Sequence, residues 1–347
     1  MDIPYHILPL DERLRVAYQQ KLNNLIKPQG ALGYLEQVAL QVALIQQRDS
    51  PVLRHPCNLM LVADHGILAE GVSISPREVT TQMTYRALKG DSGIGYLCRQ
   101  HGFELKVIDV GVDDHFGDLG PHFYDRKIRR GTRNYLHESA MTAQEMEQAL
   151  AVGREMVGLC HAEGSNVVSF GELGMGNTSA AALWMHYLTH RPLEECVGYG
   201  SDASGHIVPH KLRVLQGCRA RYHGPEEVRE IMQEFGGYEM VAAVGGMLAA
   251  AAQRMVILVD GFIMTVCLYA ASLLAPHVVQ YCIFGHQGAE HGHQTLLRQL
   301  GVRALLQLDL RLGEGTGAVC AYPLVDSAVR MLSEMGQFQE AKVTKYF

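Results

Sequence analysis

The chain repeats one phrase: a short run rich in Val, Ile and Leu, then a turn bearing glycine or an acid, then a helical stretch. The runs are NLMLVADHG (58–66), ELKVIDVGV (104–112), NVVSFGELG (166–174), MVILVDG (255–261) and VVQYCIFGH (278–286). Unbroken apolar runs of this length are buried on both faces, and their alternation with helices implies a sheet wrapped by helices on both sides. The expected fold is therefore α/β, a doubly wound and mainly parallel sheet of Rossmann-like type. Nearly every run ends in an acid, a histidine or a glycine. In open parallel sheets ligands bind beyond the carboxyl ends of the strands, so Asp64, His65, Glu172, Asp260 and His286 are candidates for one site.

Helix boundaries are also signposted. SPRE (75–78) reads as a capping box with Pro76 at the first helical position, TAQE (142–145) reads as another, and Lys89-Gly90 closes the first of these helices. Residues 1 to about 25 and the last few dozen read as helix without strands, DSAVRMLSEM (326–335) being apolar at helical spacing. This divides the chain into an α/β catalytic domain over about 26–320 and a small helical domain built from 1–25 plus about 321–347. The apolar stretch Met255 to Pro276 is interrupted by Asp260-Gly261 and reads as a short strand followed by a buried helix, not a membrane span.

Charge and cysteine usage narrow the function classes. With 36 acidic and 30 basic residues, a net charge of -6, and no Lys/Arg block interleaved with aromatics, nothing marks a nucleic-acid surface. The eight cysteines stand far apart without a CxxC pair, and the polar start MDIPYHILPLDERLR carries no secretory signal. Reduced thiols in a cytoplasmic protein are expected.

Three motifs carry chemistry. GELGMGNTSAAAL (171–183) lies between a strand and an alanine-rich helix, with Asn177 or Thr178 as the expected N-cap. Free amides at such a turn suit an anion, although it is neither Walker A nor GxGxxG, and a plain tight connection explains it equally well. Glu172 is at odds with anion binding. In RLGEGTGA (311–318), Glu314 stands between two glycines, either as a loop charge facing water or as a base beside a substrate. GHQGAEHGH (285–293) holds His286, Glu290, His291 and His293, but two histidines one residue apart do not share a helix face. Neither HExxH nor a cysteine partner is present, so a metal site is disfavoured.

Together with KPQGALGYLE (27–36), VADHGILAEGVSISPREVTTQM (62–83), FGGYEM (235–240) and VDGF (259–262), these motifs run in order from about residue 20 to about residue 336. In this the chain resembles the nicotinate-nucleotide:dimethylbenzimidazole phosphoribosyltransferase family. The resemblance implies a doubly wound α/β domain, a small helical domain from both termini, and a homodimer. It implies a pentosyltransferase that moves 5-phosphoribosyl from nicotinate mononucleotide to 5,6-dimethylbenzimidazole or a related aromatic base. The products would be alpha-ribazole 5'-phosphate and nicotinate, in synthesis of the cobalamin lower ligand.

Carried onto matching positions, the family's base is Glu314, and Glu172 lies beside it in the active site. Phosphate and ribose contacts fall on Gly174, Met175, Gly176, Asn177, Thr178 and Lys211, and the aromatic-base pocket on Ser75, Met83, Leu312 and Gly313. The substrate has electrically opposite ends, which reconciles Glu172 with the turn beside it: amides suit the phosphate, and a carboxylate suits a ribose carbon that becomes cationic. No metal or other cofactor is implied, because the leaving group is a pyridine and not a pyrophosphate. Gly288 stands where many relatives have serine, and His291 where theirs reads EPGH. The acceptor stays open among benzimidazoles, adenine and phenols, and the rival readings are a non-catalytic nucleotide-binding subunit and a nucleotide-linked dehydrogenase.

Overall fold

Every residue of Cys57–Ala63 (β1) is buried, as an apolar run at the centre of a parallel sheet must be. The structure, a computed structural model, describes residues 5–202, 204–341 and 343–344. Along the chain β1 is followed by Glu104–Gly111 (β2), Phe123–Asp125 (β3), Val167–Leu173 (β4), Val256–Val259 (β5), Cys282–His286 (β6) and Ala304–Leu306 (β7). Among the described residues all seven pair in parallel in one sheet, ordered β3-β2-β1-β4-β5-β6-β7. Chain direction across the sheet reverses between β1 and β4, which opens a crevice beyond their carboxyl ends.

The five apolar runs all form strands, and the fold is the expected doubly wound α/β type. VVQYCIFGH begins as a 3-10 turn over Pro276–Tyr281, so only Cys282–His286 is strand. Met255 to Pro276 resolves into β5 and the buried helix Phe262–Leu274, and no helix of the described residues is long and apolar enough to cross a membrane.

Helices cover both sides of the sheet. Tyr238–Ala252 lies buried against β1, β2, β4 and β5 and packs on Ala143–Ala162. The two helices touch backbone to backbone: a methyl group on Gly153 would fall 1.8 Å from the Ala242 carbonyl oxygen, so only glycine permits the approach. Thr316–Glu334 packs on β4, β5 and β6 and against Tyr34–Gln46 and Gly93–His101. The termini meet where Leu25 bridges Gln337, with the Ile26 amide donating to the Gly336 carbonyl and the Phe338 amide to that of Asn24, both at 2.9 Å.

The helix starts correct two sequence expectations. Thr142 and Glu145 form the expected reciprocal capping box. Ser75 caps nothing: its helix begins at Glu78, Pro76 lies in the preceding turn, and its hydroxyl donates to Ser201 Oγ at 3.2 Å. The helix Asn177–Thr189 is capped by neither Asn177 nor Thr178 but by Gly176, whose φ of 95° is open to glycine at little cost. The eight cysteines are all unpaired thiols.

Candidate active site

Beyond the carboxyl ends of β4, β5 and β6 lies a cavity of about 410 Å³. It gathers sequence-distant candidates: Glu172 and the turn Gly174 to Thr178 after β4, Ser75 and Met83 from around the helix Glu78–Lys89, and Leu312, Gly313 and Glu314 from the loop before Thr316–Glu334. Asp260 and His286, the ends of β5 and β6, line it too.

Asp64 and His65 end β1 on the same edge of the sheet but do not line the cavity, which corrects their candidacy. Asp64 Oδ2 accepts the Asp113 amide at 2.8 Å, and His65 Nε2 meets Glu239 Oε1 at 2.7 Å in a fully buried pair. Lys211 does not line it either. Its Nζ, behind the wall, donates to Thr178 Oγ1 at 2.8 Å and to the Gly198 carbonyl at 3.4 Å. Burial lowers its pKa to about 8, opposed by the nearby Glu290 carboxylate.

Glu314 is held in a strained conformation. Its φ is 62°, between Gly313 at 84° and Gly315 at 87°. A left-handed non-glycine residue costs about 1–3 kcal/mol and persists only where the surroundings over-determine it. Here Asp260 supplies the constraint, Oδ2 accepting the Gly315 amide at 3.1 Å and Oδ1 the Ala318 amide at 3.0 Å. From the sheet, Asn58 Nδ2 donates to the Glu314 carbonyl at 3.3 Å, and Asn58 is itself fixed by the Ser169 hydroxyl at 2.7 Å. Burial raises the Glu314 carboxyl to about 7, opposed by the Ile94 amide and assisted by Asp260. A carboxylate poised near neutrality at the wall of a cavity has the properties of a general base.

Glu172 is buried as well, and its carboxyl accepts from Asn177 Nδ2. Burial, then the charges of Asp260, Glu239 and Glu314, push it well above the usual carboxylate range. Gly313 passes directly over it: a methyl group there would lie 2.4 Å from Glu172 Oε1.

The turn after β4 presents donors. The Asn177 amide closes the turn onto the Gly174 carbonyl at 3.1 Å, while those of Gly176 and Thr178 find no acceptor among the described residues. The histidine-rich motif divides its roles. Glu290 Oε1 accepts the Gly200 amide at 2.9 Å, and His293 Nδ1 accepts that of Gly288 at 2.9 Å. Among the described residues no group of three His, Cys, Asp or Glu side chains is placed to hold a metal ion.

Several lining residues were not expected in the site, although Phe262 and Arg311 fall within the motifs VDGF and RLGEGTGA. Ser201 enters through the loop after Val197, Phe262 to Met264 through the first turn of their helix, and Arg311 through the loop after β7. Only the apolar-run-then-Asp-Gly pattern at 255–261 could have pointed to the helix start.

The chain matches the sequence model of a family described as Phosphoribosyltransferase over residues 7–343. It is similar to the nicotinate-nucleotide–dimethylbenzimidazole phosphoribosyltransferase of Parabacteroides distasonis, with 56% identity over 346 residues covering 99% of this chain and 100% of that one. The protein of the same name from Bacteroides fragilis is 53% identical over 344 residues, covering 99% of each. Among solved structures, CobT from Thermus thermophilus superposes with a TM-score of 0.92 at 39% identity, covering 96% of this chain and 100% of that one.

Proposed function

The chain belongs to the nicotinate-nucleotide–dimethylbenzimidazole phosphoribosyltransferase family and is a phosphoribosyltransferase of that activity, and from this premise we propose how the cavity performs the transfer. Nicotinate mononucleotide sits with its phosphate on the turn Gly174 to Thr178, where the amides of Gly176 and Thr178 are free to donate. Lys211 acts through Thr178: its ammonium occupies one lone pair of Oγ1, leaving the hydroxyl proton for a phosphate oxygen.

The acceptor lies against Ser75, Met83, Leu312 and Gly313 with its N–H toward Glu314. The unprotonated ring nitrogen of dimethylbenzimidazole attacks the anomeric carbon of the ribose. As that carbon–nitrogen bond forms, the bond to nicotinate breaks and its electron pair returns to the pyridine nitrogen. Glu314 takes the proton from the other benzimidazole nitrogen. Glu172 faces the cationic centre: the positive charge of the bound nucleotide favours its ionised form, which then stabilises the oxocarbenium-like transition state.

The buried carboxyl of Glu314, raised to about 7 at the cavity wall, carries this reading. Replacing it with Gln keeps size and removes basicity, so turnover should fall roughly 10²- to 10⁴-fold with little change in nucleotide binding. The acceptor is dimethylbenzimidazole, to be tested with nicotinate mononucleotide and a panel of benzimidazoles, adenine and phenols read by mass spectrometry. A Glu314→Gln protein with parental turnover would move the base elsewhere, Glu172 first.

The working unit is a cytoplasmic homodimer, with the tied termini forming a helical unit beside the α/β body. Exposed Leu312 at the cavity, 59% accessible, and exposed Ile74, 61% accessible and next in the chain to the lining residues Ser73 and Ser75, support cover by a second copy. Light scattering decides this, and a fully active monomer at assay concentration would remove the dimer from the mechanism.

A further inference from the structure

The amino edge of the sheet, opposite the cavity, brings two thiols together. Cys57 is the first residue of β1, and Cys160 stands close to the end of the helix Ala143–Ala162. Each residue is 1% exposed, and the Cys160 thiol donates to Cys57 Sγ at 3.2 Å. Among the described residues no other two of the eight cysteines come within hydrogen-bond distance of each other. Cys196 and Cys282, for comparison, donate to the Pro192 and Val278 carbonyls.

A buried cation faces the pair. Leu59 lies opposite Lys106 in the parallel β1–β2 register, and side chains two residues apart share a face, so Lys106 is on the Cys57 side of the sheet. Its side chain is 1% exposed, and Nζ is held by Glu104 Oε1 at 2.5 Å and by Glu163 Oε2 at 2.9 Å, just past the end of the helix that carries Cys160. The hydrogen bond with Cys160, then burial, hold the Cys57 thiol well above its usual range, with Lys106 opposing them. The closed pair is therefore unreactive, and its chemistry waits on a local opening of the edge.

The cover over the two sulfurs is built to open. His55, which leads into β1, is exposed and has a φ of 47°. That left-handed conformation is costly for any residue with a side chain, and the following Pro56 restricts this position further. On the helix side His161 to Gly164 are all exposed. A strained entry segment and a helix end are the places where local opening costs least.

We propose that Cys57 and Cys160 form a redox site that a small peroxide converts to a reversible disulfide, clamping the start of β1 to the end of Ala143–Ala162. One thiolate attacks the peroxide O–O bond, becoming a sulfenic acid and releasing hydroxide. The second thiolate attacks that sulfur and displaces another hydroxide as the S–S bond forms. The two thiol protons convert the hydroxides to water, so one hydrogen peroxide and two thiols give one disulfide and two waters. From 3.2 Å the sulfurs need approach by only roughly 1 Å to reach a bond of about 2.05 Å.

Peptide mapping by mass spectrometry tests this on the full chain, first reduced, then given hydrogen peroxide, with remaining thiols blocked by N-ethylmaleimide. The Cys57–Cys160 cross-linked peptides should appear at least about ten-fold faster than oxidation of any other cysteine, because the resolving thiol is already in place. Dithiothreitol should remove them. A bond between residues 103 apart in the chain should raise Tm by about 5 °C over the reduced protein. In Cys57→Ala, the Cys160 sulfenic acid has no partner to resolve it and should be trapped by dimedone. The wild-type map needs no variant and stands if Cys57→Ala misfolds. Oxidation of other cysteines while this pair stays as thiols, or an oxidised protein that melts no higher than the reduced one, would overturn the proposal and leave the contact as packing alone.

Discussion

The carbonyl of Glu314 stands directly over Gly171: a methyl group on Gly171 would lie 2.1 Å from the Glu314 oxygen and 2.2 Å from its carbonyl carbon. The glycine in β4 is thus the seat on which the Glu314 loop rests, and any side chain there must push the loop outward. Gly171→Ala should cost about 1–3 kcal/mol of stability, as overpacking does. It should lower kcat about 10²-fold through a displacement of the order of 1 Å. Steady-state kinetics with thermal unfolding checks both, and a parental kcat would show that the loop position is not set by this contact.

Much of this arrangement was legible in the chain, for reasons that differ residue by residue. The five inner strands announce themselves because both their faces are apolar, whereas β3 and β7, three residues each and partly exposed, have no pattern long enough to read. Ser75 fits a capping motif locally, yet its hydroxyl is taken by Ser201, 126 residues away, and no local rule anticipates that. Glu172 and Glu314 stand out by their glycine neighbours. Lys211 came only through family resemblance, and its position behind Thr178 was not readable at all. Strand ends converge on one edge of the sheet, but Asp64 and His65 are turned away because the Asp113 amide and Glu239 claim them. Periodicity places a residue at an edge. It does not aim the side chain.

The pH profile of kcat/KM, which reports the free protein, should be a narrow bell. Glu314 must be ionised to act as base, so activity falls as pH drops below about 7. Lys211 must be charged to polarise Thr178, so activity falls as pH rises above about 8. Bound phosphate favours charged Lys211, so the alkaline limb should move upward in kcat while the Lys211→Met variant loses it altogether. An alkaline limb kept in Lys211→Met would assign it to another group.

The buried His65–Glu239 pair, 2.7 Å apart with both side chains fully enclosed, lies under the turn Gly174 to Thr178: a methyl group on Gly174 would be 3.3 Å from His65 Nε2. Removing one partner strands the other. Glu239→Ala should therefore cost about 3–5 kcal/mol, and replacing both residues by apolar groups of similar volume should recover most of it. Urea unfolding of the parent, Glu239→Ala, His65→Ala and the double variant measures the difference, and an additive double variant would mean that the two residues are not coupled.

Glu314 should also trade stability for chemistry, with a sign that pH reveals. Its folded carboxyl titrates near 7 against an ordinary value of 4.5, so between these values the folded chain binds a proton that the unfolded chain has released. Stability from this group is present below the lower value and is lost as pH rises toward the upper one. By pH 8 the ionised carboxylate costs the fold up to about 3 kcal/mol, and at pH 5 less than about 1 kcal/mol. Glutamine is neutral throughout and keeps the left-handed backbone at φ 62°, so Glu314→Gln isolates the charge from the strain. The variant, slow in catalysis, should be more stable than its parent at pH 8 by about 2–3 kcal/mol and nearly equal to it at pH 5. Urea unfolding without substrate at the two pH values is the measurement. A variant no more stable at pH 8 would mean that Glu314 ionises there without penalty, which removes the burial that makes it a base near neutrality.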